Sequence, residues 1–203
     1  KDPTRNTKGK SGEKMECVLV VAGTDQGKAF LSDLLKARAF DRVVAVSNGG
    51  EARRAMIEDC YDLVLINAPL RDESGLELAI SVTQSTDSSV IVLVKSERAD
   101  EAAEKVEDFG VLVVPKPVSR QIFYQTLKIA TASRRRMLNL KNENARLQNQ
   151  IEEIKLVDRA KCASIQYRHL TEQEAHYFLE KQAMDQRSTR RQVAQEIIRT
   201  YEG

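Results

Sequence analysis

The chain has 203 residues, of which 41% are hydrophobic and 31% are charged, and its formal net charge is +2. This composition supports a packed core, and no apolar run reaches the ~18–20 residues that a membrane-spanning helix needs. Three dispersed cysteines and two histidines argue against a disulfide framework, a zinc site and most His-based catalysis. We therefore expect a cytoplasmic protein with reduced thiols, no catalytic residues, no metal and no cofactor.

Charge and composition change along the chain. Residues 1–14 are polar and lack apolar periodicity, which predicts a disordered tail. Residues 15–133 carry 13 basic and 18 acidic side chains, whereas residues 134–203 carry 14 basic and 10 acidic ones. A basic C-terminal part is typical of a protein with a polyanion partner, and a mixed solvated surface is the alternative.

Five apolar, β-branched runs alternate with five amphipathic segments over residues 15–133. The predicted strands cover 16–23, 41–48, 61–69, 88–96 and 111–118, and the predicted helices cover 28–40, 50–60, 75–85, 99–110 and 119–133. Strands that are apolar on both faces indicate a parallel sheet with helices on both sides. We predict an α/β, doubly wound domain of flavodoxin-like order, with its functional residues at the carboxyl ends of the strands.

Two motifs in this region resemble response-regulator receiver domains, the CheY-like fold. They are the stretch DLVLINAPLRDESGLEL at 62–78 and the Lys116-Pro117 pair after the fifth strand. The resemblance implies acidic residues after strand one, a phosphoacceptor Asp after strand three, a Ser or Thr after strand four and a Lys after strand five. In such a site the carboxylates bind Mg²⁺, and the metal and the lysine neutralise the phosphoryl charge.

The sequence departs from this pattern at three of the four positions. Ala22-Gly23 end the first strand, Asn67 stands at the phosphoacceptor position and Val94 replaces the Ser or Thr. An amide is a poor nucleophile, and it brings no negative charge to a hard cation. The prediction is a pseudo-receiver that keeps the fold without control by Asp phosphorylation.

Three residues leave alternatives open at this site. Asp25 and Asp72 lie nearby in sequence and could substitute for the missing acids. Lys116 is the one receiver residue that is retained. It is either a functional remnant or a structural lysine that is solvated or paired with a carboxylate.

The segment 134–158 has the heptad pattern of a coiled-coil linker. Position a holds Met137, Asn144 and Ile151, and position d holds Leu140, Leu147 and Ile154, with Ala130 extending the pattern backwards. A narrow a/d stripe with a single Asn at position a is typical of a parallel homodimer, and an amphipathic helix packed on its own chain is the alternative. The basic triplet 134–136 contacts nucleic acid or forms a solvated helix face.

The last segment, 156–203, predicts a small module of three helices. The first continues from the coiled coil to about Arg168, and Thr171 with Glu174 forms a capping box for the second. Ser188 or Thr189 caps the third. Three short helices of this length form only a marginal hydrophobic core, and we expect the continuous helix of the coiled coil to stabilise it.

This module resembles the ANTAR family of RNA-binding antitermination domains. The matching residues are Ala160-Lys161, 171–175 (TEQEA), Tyr177, Leu179, Ala183-Met184, Val193-Ala194 and Ile197-Ile198. The order of receiver-like domain, coiled coil and three-helix module also matches ANTAR-type regulators. The resemblance implies a dimeric transcription antiterminator, not an enzyme, that binds paired hairpins in the leader of a nascent message.

Candidate RNA contacts follow from their chemistry. Aromatic rings and guanidinium planes stack on unpaired loop bases, and Lys and Arg meet phosphates. The candidates are Lys161, Arg168, His169, Tyr177, Arg187, Arg190 and Arg191. As alternatives, Tyr177 belongs to the core, and His169 and His176 are surface or capping residues.

A function of another class fits the same pattern. The protein could be an interaction adaptor of a two-component-like signalling system, in which the pseudo-receiver binds a regulatory protein and the tail does not bind RNA. A DNA-binding regulator is a weaker alternative, because the third helix offers few base-reading side chains beyond its arginines. The expected partners are thus leader RNA hairpins, a second copy of the chain and a regulatory protein, without a membrane.

Overall fold

The computed structural model describes residues 17–36 and 40–202. The predicted tail at 1–14 lies outside these residues. Two compact units divide the chain, Lys1–Leu138 and Asn139–Gly203. Among the described helices, none is both long enough and apolar enough to cross a membrane.

The elements follow the predicted alternation. The strands are β1 (Cys17–Ala22), β2 (Arg42–Val46), β3 (Leu63–Asn67), β4 (Ser89–Lys95) and β5 (Leu112–Lys116). The helices are α1 (Asp25–Lys36), α2 (Gly49–Glu58), α3 (Leu76–Ser85), α4 (Ala99–Val106), α5 (Arg120–Arg168), α6 (Glu172–Asp185) and α7 (Arg190–Glu202), with short 3₁₀ turns at Ser96–Arg98 and Glu107–Phe109.

The five strands form one parallel sheet in the order β2-β1-β3-β4-β5. This order confirms the predicted doubly wound, flavodoxin-like class. The register sets Ala22 opposite Asn67, and Asn67 opposite Leu93. The strand ends that matter for a receiver therefore lie side by side at one edge of the sheet.

Each face of the sheet has its own core, because successive strand residues point to opposite sides. Val18 and Val20 face α1 and α5, whereas Leu19 and Val21 face α2, α3 and α4. All four of these side chains are fully buried. This two-sided burial explains why the central strands are apolar throughout.

Helix α1 begins three residues before its predicted start, because Thr24 caps it. The Thr24 hydroxyl accepts a hydrogen bond from the Gly27 N–H at 3.1 Å, and the Thr24 carbonyl accepts from the Lys28 N–H at 3.0 Å. A threonine in this role satisfies a helix N–H that has no partner within the helix. Residues 37–39, inside the predicted helix, lie outside the described residues.

Helix α5 joins three segments that the sequence analysis treats separately: the fifth receiver helix, the linker and the first helix of the tail. Ser119 starts it, since its carbonyl accepts the Phe123 N–H at 2.9 Å. No Gly or Pro interrupts residues 119–168. The proposed backward extension of the heptad stripe is wrong, because Ala130 is buried in the receiver-like core.

Arg134 ties α5 to the amino edge of the sheet. Its Nη2 lies 2.7 Å from Asp62 Oδ1, and its Nε donates to the Asp87 carbonyl at 3.0 Å. Asp62 Oδ2 accepts in turn from the Cys17 N–H at 2.9 Å. Arg134 is therefore held by the receiver fold, so its interpretation as a solvated side chain is wrong, and a nucleic-acid contact by the triplet stays a prediction.

The second unit packs α6 and α7 against the end of α5. Its main hydrophobic cluster contains the buried residues Ala160, Ala163, Leu179, Val193, Ala194 and Ile197. The predicted capping box is present: the Thr171 hydroxyl accepts from the Glu174 N–H, and the Glu174 carboxylate accepts from the Thr171 N–H at 2.8 Å. Thr189 makes the same reciprocal pair with Gln192, so it caps α7 in preference to Ser188.

Candidate functional site

Asn67 is the last residue of β3, and α1 begins directly against it. A Cβ atom added at Gly27 would lie 2.5 Å from Asn67 Nδ2, which is closer than side chains approach. Beside it, the Arg71 side chain lies over Gly23, within 3.2 Å of where a Cβ would stand. An amide and a guanidinium-bearing side chain thus occupy the region where a receiver holds its carboxylates.

The two nearby aspartates are engaged elsewhere or solvated. Asp72 accepts hydrogen bonds from the Gly49 and Gly50 N–H groups at 3.0 and 3.1 Å, and these bonds lower the pKa of its carboxyl. The side chain of Asp25 is 98% exposed and lies 3.4 Å from Lys28. Over residues 17–36 and 40–202, no three His, Cys, Asp or Glu side chains converge as metal ligands.

Lys116 is half-buried at the end of β5, and its Nζ donates to the Ala68 carbonyl at 2.6 Å. Burial lowers the pKa of its ammonium group, and repulsion from Lys95 lowers it further. The Lys116 ammonium group is therefore bonded to a backbone carbonyl, and not to a carboxylate as expected for a structural lysine. The lysine therefore links β5 to the residue that follows Asn67.

The heptad residues lie on the surface of the single chain. The five apolar side chains, Met137, Leu140, Leu147, Ile151 and Ile154, are 42–61% exposed. Asn144 is also exposed. A stripe of large apolar side chains at heptad spacing is typical of a helix that buries this face against a partner.

Three predicted RNA contacts are freely accessible. Tyr177 lies on α6 with 67% of its surface exposed, so its alternative placement in the core is wrong. Arg187 follows α6 in a left-handed conformation with φ 50°, and among the described residues no carboxylate pairs with it. His169, exposed and also left-handed at φ 56°, ends α5 in the loop before α6.

The other cations have partners within the unit. Arg168 lies 4.1 Å over the Phe178 ring, and Lys161 lies 2.9 Å from Asp158, which raises the lysine's pKa. The last two candidates form longer ion pairs: Arg190 lies 3.5 Å from Glu180, and Arg191 lies 3.7 Å from Glu152. Exposed pairs of this length contribute little to stability.

Comparison with known proteins assigns this region. The ANTAR domain model matches residues 145–198, which contain the end of α5, all of α6 and most of α7. Residues 145–198 form an ANTAR domain. The chain is also 27% identical over 172 residues to the transcriptional regulatory protein PdtaR of Mycobacterium tuberculosis, across 84% of this chain and 83% of that protein.

Solved structures match the first unit. The signal receiver domain of an HD domain-containing protein from Pseudomonas fluorescens Pf-5 superposes with a TM-score of 0.56 at 17% identity, covering 66% of this chain and 98% of that one. A two component transcriptional regulator AraC from Clostridium phytofermentans gives 0.53 at 18% identity, covering 60% and 98%. The comparisons thus give a receiver fold for the first unit and a match to the ANTAR domain model over residues 145–198.

The second unit contains an aromatic pair that was not predicted from the sequence. Tyr167 and Tyr201 stack with their ring centroids 5.4 Å apart and their planes 7° apart, and Tyr167 is half exposed. Three of the chain's five tyrosines lie after residue 160, which is the signal that could have marked them. Their pairing depends on how α7 packs beside α5, which apolar periodicity does not specify.

Proposed function

We propose that the protein is an RNA-binding transcription antiterminator, which acts as a dimer on paired hairpins in nascent leader RNA and is not an enzyme. The observation that carries the proposal is the exposed Tyr177 on the ANTAR domain, with the unpaired Arg187 ten residues further on. A protein of this function works where transcripts are made, so the proposal includes a cytoplasmic location.

The RNA-binding surface would be built around α6. Tyr177 and Met184 are seven residues apart, so they share one face of the helix, and both are largely exposed. An exposed ring stacks on an unpaired loop base, and a neighbouring guanidinium meets the phosphate backbone. Tyr177 offers the stacking surface, and Arg187, which follows α6, offers the guanidinium.

Further basic residues would join this surface when RNA binds. The Arg190 and Arg191 ion pairs are loose and exposed, so exchanging a carboxylate for a phosphate costs little. Both residues lie in the first turn of α7, where the positive end of the helix dipole also favours a phosphate. Lys161, Arg168 and His169 remain candidates at the end of α5.

Dimerisation would come from the α5 stripe defined above. Two chains that pair along it remove the exposed Leu and Ile side chains from water, at about 25 cal/mol per Å² of apolar area. Asn144 at position a would fix the register of a parallel pair. A parallel dimer presents two ANTAR domains, which matches two RNA hairpins.

Control by Asp phosphorylation is excluded from the proposal, because the last residue of β3 is Asn67. Incubation of the full chain with acetyl phosphate and Mg²⁺, followed by intact mass spectrometry, is expected to leave it unmodified. Phosphorylation that disappears in Asp25→Asn or Asp72→Asn would reinstate these residues as substitutes for the missing acids.

The decisive experiment is a gel shift of the full chain with tandem-hairpin RNA, single-hairpin RNA and duplex DNA over a salt series. We expect tight binding to the tandem RNA that falls steeply with salt, because phosphate contacts release counterions. Tyr177→Ala is expected to weaken binding about fivefold or more, since one stacked base is worth about 1–3 kcal/mol.

Two arginine variants are compared, one as the test and one as its matched control. Arg187→Ala is expected to weaken binding and lower the salt slope by about one. Arg54→Ala changes an exposed arginine on α2 of the receiver fold and should leave RNA binding unchanged. If neither hairpin RNA binds, the proposal fails, and a protein-interaction adaptor becomes the function to test by pull-down with the full chain.

A further inference from the structure

A cavity of about 280 Å³ opens within the receiver fold, between the loops that follow β3 and β4. It lies next to Asn67, since Ala68 forms part of its wall. The lining residues that matter here are Ala68, Leu76, Val94, Lys95, Arg98 and Ala102. It includes Val94, at the position of the receiver's Ser or Thr, and no residue of the proposed RNA surface lines it.

The inner wall of the cavity is apolar. Ala68, Val94 and Ala102 are buried, and Leu76 is partly buried beside them. Val94 stands where the receiver resemblance expects a hydroxyl side chain, so the hydrogen-bonding group of a phosphorylation site is replaced by methyl groups. A wall of this kind binds the hydrocarbon part of a ligand.

The rim of the cavity carries more positive than negative charge. The cations are Lys95, Arg98 and Lys105, and the carboxylates are those of Glu97 and Glu101. The Glu101 carboxylate lies 2.6 Å from Lys105 and 3.9 Å from Arg98. These contacts lower the pKa of the Glu101 carboxyl. Glu101 is therefore already neutralised by the rim.

Lys95 is the cation left for a ligand. Over residues 17–36 and 40–202, no carboxylate lies within ion-pair distance of its ammonium group. It stands opposite Lys116 in the β4–β5 register, so two ammonium groups repel each other at this edge. An anion at Lys95 would relieve that repulsion.

We infer that the cavity binds a small organic carboxylate, with its apolar body against the inner wall and its carboxylate group on Lys95. The volume suits a single-ring or branched-chain acid. Ligand binding would also affect Lys116, because the Ala68 carbonyl in the cavity wall accepts the hydrogen bond of Lys116. The ligand would act on the strand ends through which phosphorylation acts in a receiver.

The test uses 3-phenylpropionate as the probe and the full chain without RNA, so its result is independent of the proposed RNA function. Backbone amide NMR shifts are followed during a titration with the acid and, separately, with its neutral amide. We expect saturable shifts confined to the loops after β3 and β4, and weaker binding of the amide by about fivefold, the value of an exposed ion pair.

Three variants complete the test. Lys95→Gln should weaken binding of the acid about fivefold without affecting the amide, and Lys128→Gln, an exposed lysine on α5, should change neither. Ala102→Leu fills the cavity and should abolish both interactions. Equal binding of acid and amide, shifts centred on the α5 stripe, or no saturable shifts at all would each overturn the inference.

Discussion

The two units of the chain are stabilised by cores of different kinds. In the receiver fold, both faces of the sheet bury large side chains such as Leu19, Ile66, Leu78 and Phe123. In the ANTAR domain, half of the clustered buried residues are alanines, including Ala160 and Ala194. The hydrophobic contribution grows with apolar area, so the first core is strong and the second is marginal.

The two units therefore depend on different stabilising interactions. The receiver fold is stabilised mainly within one chain, by burial on the sheet. The ANTAR domain relies on helix caps, on close alanine packing and, under the proposed function, on the second copy along α5. Substitutions should therefore act through the core in the first unit, and through caps and the dimer stripe in the second.

The largest effect is expected from Phe123→Ala in the first core. Phe123 is fully buried between α5 and the sheet, and removing a buried ring of this kind costs about 3–5 kcal/mol. Urea unfolding of the full chain measures the loss. Ile122→Ala, at the exposed neighbouring position, is the control and should cost less than about 1 kcal/mol.

Next in size is the effect of Leu147→Lys on the dimer stripe. Each chain loses one Leu, which contributes about 1.5–3 kcal/mol per chain when it is buried in a dimer. Sedimentation velocity should show a monomer where the parent chain is dimeric. Asn149→Lys, on the outer side of the same helix, should stay dimeric, and an unchanged mass for Leu147→Lys would falsify the stripe as the dimer contact.

Arg134→Ala should have an intermediate effect on the receiver fold alone. Its removal takes away the cation beside the partly buried Asp62 carboxylate and one donor to the Asp87 carbonyl, at a cost of about 2 kcal/mol. Thermal unfolding of the full chain provides the measurement. Arg136→Ala is the exposed control, and an equal loss in both variants would contradict the assigned role of Arg134.

The smallest effect is expected from Thr171→Ala at the cap of α6. Loss of an N-cap hydroxyl costs about 1 kcal/mol, and it should lower the stability of the ANTAR domain. Circular dichroism on heating reports this change. Thr200→Ala, near the end of α7, is the control with a hydroxyl that bonds only to a helix carbonyl, and it should change less.

The same cap makes a prediction about pH. The Thr171 N–H and hydroxyl groups lower the pKa of the Glu174 carboxyl below its ordinary value of 4.5. The folded state therefore favours the carboxylate, and its stabilising effect is present above that value and lost as pH falls through the lowered pKa. Glu174→Gln should flatten this part of the acid unfolding profile, and an unchanged profile would contradict the role of the cap.

Local patterns in the sequence were enough for much of this result. The five apolar runs predict the strands, and the spacing of Thr171 and Glu174 predicts the cap, because both depend on neighbouring residues only. Asn67 at the end of β3 also follows from the sequence, since the receiver-like motif around it fixes its position. The resemblance to ANTAR domains suggests the proposed function, and the family model matches the same part of the chain, residues 145–198.

Other features required the packed structure, because they join residues far apart in the chain. Lys116 bonds to the carbonyl of Ala68, 48 residues away, and Asp72 bonds to the start of α2. Arg134 is held by Asp62 across the edge of the sheet. Strand register and helix packing determine such contacts, and a local sequence pattern contains neither. The sequence alone therefore identified the helices, the strands and the missing acids of the receiver site. The tertiary structure decided the partner of each charged side chain and the exposure of Tyr177.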